Sequence, residues 1–157
     1  MLLPAAALQL ACGAACAVDC PDSLFTCETD RAGKYVEICA TEVVPDQTWR
    51  DIYYRFGAEG QPPELVFPAR PQDGANLFLF SHTVVGSDYR VSVRFISGPY
   101  TYTIYSNSAQ ATAGVRVVDR AGKVISHARC FGRRSGLSPQ AAGPNGPCAS
   151  HASARCR

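Results

Sequence analysis

The chain has 157 residues and a formal net charge of +2; 46% of the residues are hydrophobic and 18% are charged. That is one domain with attachments, too apolar to be disordered throughout and too weakly charged for a general nucleic-acid binder. No apolar run reaches the ~18 residues of a membrane-spanning helix.

Residues 1–17 carry no charge and end in Ala15-Cys16-Ala17. Small residues before a cut are what a signal peptidase accepts, so an export signal cleaved before Val18 is expected. No Lys or Arg precedes the apolar stretch, which leaves an apolar first strand or short helix as the other reading. A lipoprotein signal at Cys12 or Cys16 is a third, with Gln9 and Gly13 where Leu is usual. Removal of the signal leaves Cys20, Cys27, Cys39, Cys130, Cys148 and Cys156. An even number of cysteines in an exported chain makes all six disulfide candidates.

Short alternating segments follow. Residues 24–30 and 34–40 flank Asp30-Arg31-Ala32-Gly33-Lys34, and the same pentapeptide returns as Asp119-Arg120-Ala121-Gly122-Lys123 between 115–119 and 123–130. Asp first and Gly fourth fit a three-residue hairpin loop with a left-handed glycine, pairing Asp30 with Lys34 and Asp119 with Lys123. In that register Cys27 faces Glu37 and Cys39 faces Phe25. Cys27 and Cys39 then share a face on a diagonal of ~7–8 Å, at the limit of disulfide reach. The same register gives His127 a face with Val115, Val117 and Ile125. Between the hairpins, residues 50–56, 64–68, 77–83, 89–95 and 100–106 read as strands. Ile52, Tyr54 and Phe56 alternate with Asp51, Tyr53 and Arg55. Tyr89, Val91, Val93 and Phe95 alternate with Arg90, Ser92 and Arg94. Tyr100 and Tyr102 fall with Ile104, and Tyr105 with Thr101 and Thr103. The stretch from Asn107 to Gly114 can hold one turn of helix in a loop.

Residues 131–157 are dense in Gly, Pro, Ala and Ser, and hold Arg133, Arg134, Arg155 and Arg157 with no acid. A flexible basic tail is expected there, after a domain at 18–130. The fold expected is all-β: a small antiparallel up-and-down barrel of about eight strands, with a β-sandwich as the alternative. Closure makes the first and last strands neighbours, and Cys130 is then expected to bond Cys27 or Cys39.

Leu24-Phe25-Thr26-Cys27-Glu28-Thr29, Gly33-Lys34 and Val36-Glu37-Ile38-Cys39 resemble a pattern of small exported proteins of Proteobacteria. Tyr54-Arg55-Phe56-Gly57, Pro63-Glu64-Leu65 and the stretch from Gly98 to Tyr105 continue it over most of residues 22–130. The resemblance implies an exported β protein and no particular activity. A fainter similarity, to membrane-bound or periplasmic inhibitors of C-type lysozyme, rests on Phe25-Thr26-Cys27 and Cys130. Gly86-Ser87-Asp88-Tyr89 falls near that family's exposed Ser-Gly-x-x-Tyr loop, with Ser and Gly in reversed order. It implies an eight-stranded barrel that inhibits a hydrolase.

Ser81, His82 and Asp88 are close in sequence, but Ser81 and His82 point to opposite faces of a strand, and no Gly-x-Ser-x-Gly elbow is present. No catalytic residue is assigned. Cys148, His151 and Cys156 supply three metal-type donors where structural zinc takes four, so neither a metal nor another cofactor is expected. The residues suited to a ligand or partner are Ser87, Asp88, Tyr89, Tyr100, Tyr102 and Tyr105, since Tyr pairs an apolar ring with a polar tip. The expected protein is a non-enzymatic binding module in the periplasm or secreted, with no transmembrane helix once the signal is removed. Its expected partner is a protein, either an envelope component or a hydrolase, and not a nucleic acid. A small hydrolase using His82 or His127, and a structural envelope component, are the alternatives.

Overall fold

The computed structural model describes residues 20–43 and 48–135. The expected signal at 1–17, Cys148, His151, Cys156 and the tail from residue 136 onward lie outside the described residues. Nine strands form: β1 (Asp22–Thr29), β2 (Lys34–Val43), β3 (Thr48–Ala58), β4 (Leu65–Phe67), β5 (Leu79–Val85), β6 (Asp88–Ser97), β7 (Tyr100–Asn107), β8 (Thr112–Val118) and β9 (Val124–Ser135). Strand β9 thus runs five residues beyond the expected start of the tail. The stretch after Asn107 is a turn into β8, with Ala111 N–H donating to Ser108 O.

The strands make one antiparallel sheet in the order β4-β3-β2-β1-β9-β8-β7-β6-β5. The chain starts in the middle of the sheet, works outward to β4, crosses to β5 and works back until β9 pairs with β1. The first and last strands are neighbours, as expected. The expected closure into a barrel of about eight strands is not what forms: the nine-stranded ladder ends at β4 on one side and β5 on the other. A 3-10 helix, η1 (Pro71–Asn76), lies in the connection between those two edges.

Side chains alternate across each strand, and one face of the sheet is apolar almost throughout. Phe25, Cys27, Val36, Ile38, Val91, Val93, Phe95 and Ile104 are all 2% exposed or less. The sheet curls so that this face packs on itself. Phe95 of β6 lies between Phe67 of β4 and Tyr102 of β7, with ring centroids 4.5 Å and 4.8 Å away and interplanar angles of 11° and 5°. Phe78 and Tyr54 approach the same ring at 5.3 Å and 5.1 Å. Hydrogen bonds stop at the β4/β5 seam, and this aromatic cluster carries cohesion across it. Helix η1 reaches the same region through Gly74. A Cβ there would sit 1.7 Å from the Ile52 carbonyl oxygen. Beside Ile52, Asp51 has φ +50°, within the irregularity where β3 departs from regular pairing with β2.

The two identical pentapeptides turn differently. At the second, Asp119 N–H donates to Lys123 O at 3.0 Å, Gly122 has φ +80°, and the expected three-residue loop forms. Asp119 Oδ1 also accepts the N–H groups of Ala121 and Lys123, each at 2.9 Å. At the first, Asp30 N–H donates to Arg129 O at 2.8 Å, and Asp30 Oδ1 accepts Arg129 N–H at 3.1 Å. Strand β9 has recruited Asp30, so the hairpin closes one residue earlier, from Thr29 to Lys34. Cys27 therefore sits opposite Val36, not Glu37. Because the side-chain period is two, this slip separates Cys27 and Cys39 onto opposite faces. Cys27 bonds Cys130 with a Cα–Cα distance of 5.4 Å, and Cys39 bonds Cys20 at 5.2 Å. An irregularity at Val117–Val118 likewise places His127 opposite Arg116, on the face away from Val115 and Val117.

Candidate binding mouth

Strand alternation brings Tyr100 and Tyr102 to the inner face of β7, where the curled sheet opens at one end. Tyr54 and Phe56 of β3 and Leu65 of β4 line the same opening, joined by Val115, Val117 and Ala128 of β8 and β9. The cavity measures about 340 Å³, within the range of ~300–1,000 Å³ typical of small-molecule sites. Tyr54 and Tyr102 are neighbours in its wall, with ring centroids 6.0 Å apart and planes 52° apart. Arg31, at the tip of the first hairpin, is the single cation in the lining, and its Nη2 donates to Ser126 Oγ at 2.5 Å.

The electrostatics follow from this placement. Burial pushes the Tyr54 hydroxyl far above its ordinary ionisation range; Tyr102 adds to the rise and Arg31 opposes it. Burial, and then Tyr100, raise Tyr102 in the same direction. Both phenols are therefore neutral hydrogen-bonding groups at neutral pH, and Arg31 supplies the positive charge at the mouth.

A larger cleft of about 530 Å³ lies on the outer face, lined by Thr26, Tyr35, Glu37, Arg55 and the β3–β4 connection. Two of its charged groups are matched to each other, since Arg55 donates to Glu37 and Thr26 Oγ1 to the same carboxylate, and Glu59 lines the cleft beside them. Nearby, Cys20, Glu37 and Cys39 have donor atoms within 4.8 Å of one another, but both sulfurs are in the disulfide and offer no thiolate to a metal.

The six residues expected to bind a ligand or partner separate into three places. Tyr100 and Tyr102 line the mouth. Ser87 and Asp88 occupy the exposed β5–β6 tip beside Tyr89, whose N–H donates to Ser108 Oγ at 2.8 Å. Tyr105 points outward and is hydrogen-bonded to His127 Nε2 at 2.8 Å. His82 is exposed on the edge strand β5, and neither histidine lines either cavity. The sequence reading missed Tyr54, Phe56 and Arg31 as site residues. Alternation over 50–56 puts Tyr54 and Phe56 on one face, but only the curl of the sheet brings them to Tyr102.

Among the described residues no helix is long and apolar enough to cross a membrane. The two disulfides are the chemistry of an oxidising compartment. No family model, curated protein or solved structure matches the chain.

Proposed function

We propose that the protein is an extracytoplasmic, non-enzymatic binding module that takes a small amphipathic anion, aromatic or apolar in its body, into the mouth between β3 and β7. The observation that carries this reading is the mouth itself, a cavity walled by Tyr54, Phe56, Tyr100 and Tyr102 with Arg31 as its one cation. The rings supply area and stacking for an apolar body, and Arg31 supplies a charge-assisted hydrogen bond to a carboxylate or sulfonate head. Anilinonaphthalene sulfonate has this chemistry and reports its own binding by fluorescence. The expected result is saturable binding to the oxidised protein. Val117→Trp, which fills the cavity, abolishes it. Arg31→Gln removes the preference for this dye over the neutral N-phenyl-naphthylamine. Equal dye binding by wild type and Val117→Trp, with both folded by circular dichroism, overturns the reading.

A second reading rests on the β5–β6 tip. Val84 and Val85 are 54% and 73% exposed there, next to Ser87 and Asp88. A protruding hairpin with an apolar flank and a carboxylate suits insertion into the cleft of a hydrolase. Stoichiometric protein then lowers lysozyme turnover, and Val85→Asp relieves the inhibition. Undiminished turnover at a large excess removes this reading.

A further inference from the structure

The outer face of β6–β9 is cationic in a regular way. Antiparallel pairing aligns Arg94, Thr103, Arg116 and His127 in one row across four strands. The adjacent row holds Ser92, Tyr105, Gly114 and Arg129, and the next holds Arg90 and Asn107. All four arginines are exposed. Among the described residues none of their guanidinium groups has an ion-pair partner. Asp88 and Asp30 border the array: Asp88 accepts from Ser108 Oγ, and Asp30 accepts the backbone N–H of Arg129 within it. Burial raises the pKa of Tyr105, Arg129 and Arg116 oppose that rise, and Asp30 adds to it.

Strand geometry sets the spacing. Arg94 and Arg116 are two strands apart, about 10 Å, and Arg90 lies four residues from Arg94, ~13 Å along β6. Charges so spaced do not converge on one point, as a cage for a single phosphate requires. They form an open lattice that an extended polyanion can lie across. Between them are hydroxyl and amide side chains, in contrast to the apolar core of a protein–protein interface. Tyr105 and His127 form the single aromatic pair on this face, too little for the row of stacking platforms that single-stranded nucleic acid uses.

We infer that the outer face of β6–β9 is a docking surface for an acidic polysaccharide, held by Arg90, Arg94, Arg116 and Arg129, with Tyr105, Thr103 and Ser92 hydrogen-bonding to the sugar hydroxyls. The test uses heparin and the full-length, disulfide-bonded chain, titrated over a range of salt. Four such arginine contacts at ~0.7 released counterions each contribute about −3 to the log–log salt slope. Arg94→Gln with Arg116→Gln makes the slope shallower by about 1.4 and weakens binding at least tenfold at fixed salt. The charge-matched control, Arg120→Gln with Lys123→Gln on the β8–β9 turn, leaves affinity within twofold of wild type. The basic residues of 131–157 are common to all three proteins and cancel in the comparison. Three outcomes overturn the inference: no heparin binding by wild type at low salt, an equal loss in the control, or equal affinity for single-stranded DNA of the same charge.

Discussion

Replacing Phe95 with alanine tests how the curled sheet holds together. Phe95 is 1% exposed and touches four rings from β3, β4, β7 and the segment before β5. Truncating a buried Phe costs ~3–5 kcal/mol through lost transfer energy and the cavity left behind. Each ring pair adds ~0.5–1.5 kcal/mol beyond its buried area, so Phe95→Ala belongs at the top of that range, about 5 kcal/mol. Against a total stability of ~5–15 kcal/mol, that is a third or more of what holds the protein folded. At ~4 °C per kcal/mol for a domain of this size, the expected fall in Tm is about 20 °C. Phe95→Leu keeps apolar volume and loses the stacking, for about 2 kcal/mol. Ile96 is the neighbouring control: it points outward, 67% exposed, and Ile96→Ala changes stability by no more than ~0.5 kcal/mol. The assay is urea unfolding of the oxidised protein followed by circular dichroism. If Phe95→Ala and Ile96→Ala differ by less than ~1 kcal/mol, the aromatic cluster does not hold the seam and the argument fails.

The two disulfides should rank by loop length. Removing Cys27–Cys130, separated by 103 residues, costs about 4.7 kcal/mol, and removing Cys20–Cys39, separated by 19, about 3.2 kcal/mol; unfolding of the two Cys→Ser double variants checks the order. Gly74→Ala drives a methyl group into the Ile52 backbone and lowers stability by about 2 kcal/mol or more, read from the shift in urea midpoint. Tyr54 gives a pH dependence of definite sign. Its hydroxyl titrates higher in the folded protein than its ordinary 10.0, so the folded state keeps a proton that the unfolded chain loses. Stability is therefore full below pH 10 and declines as pH rises above it. Tyr54→Phe makes that alkaline decline shallower, and an unchanged slope contradicts the assignment.

All nine strand segments, the shared face of Tyr100, Tyr102 and Ile104, and the bond from Cys130 to the first hairpin were legible because each depends on alternation or on the order of neighbours. What was missed depends on distant partners. The first turn was misread by one residue because β9, far along the chain, takes the backbone of Asp30. That single slip moved Cys39 to the outer face and concealed its pairing with Cys20. Pro71-Gln72-Asp73-Gly74 reads locally as a loop, and its helix is held by a close approach to β3. Which strand pair stays unbonded is not encoded in either strand; it emerges at β4, three residues long, and β5. The mouth was half visible for the same reason: its two walls come from separate alternating strands that meet only when the sheet curls.

The pairing of β1 with β9 also bears on the timing of folding. During synthesis β1 emerges with one of its two neighbours, β2, close behind, but the other is more than ninety residues away. Until β9 arrives, β1 is an open edge carrying Phe25 and Cys27 on a face with nothing to cover its far side. Long-range pairing of this kind is slow, since loop closure precedes any gain from contact. The topology thus leaves β1 half-paired until the last strand is present, while the seven other pairings join consecutive strands. It also makes β1 the segment that a chaperone or a foreign β-strand would capture first.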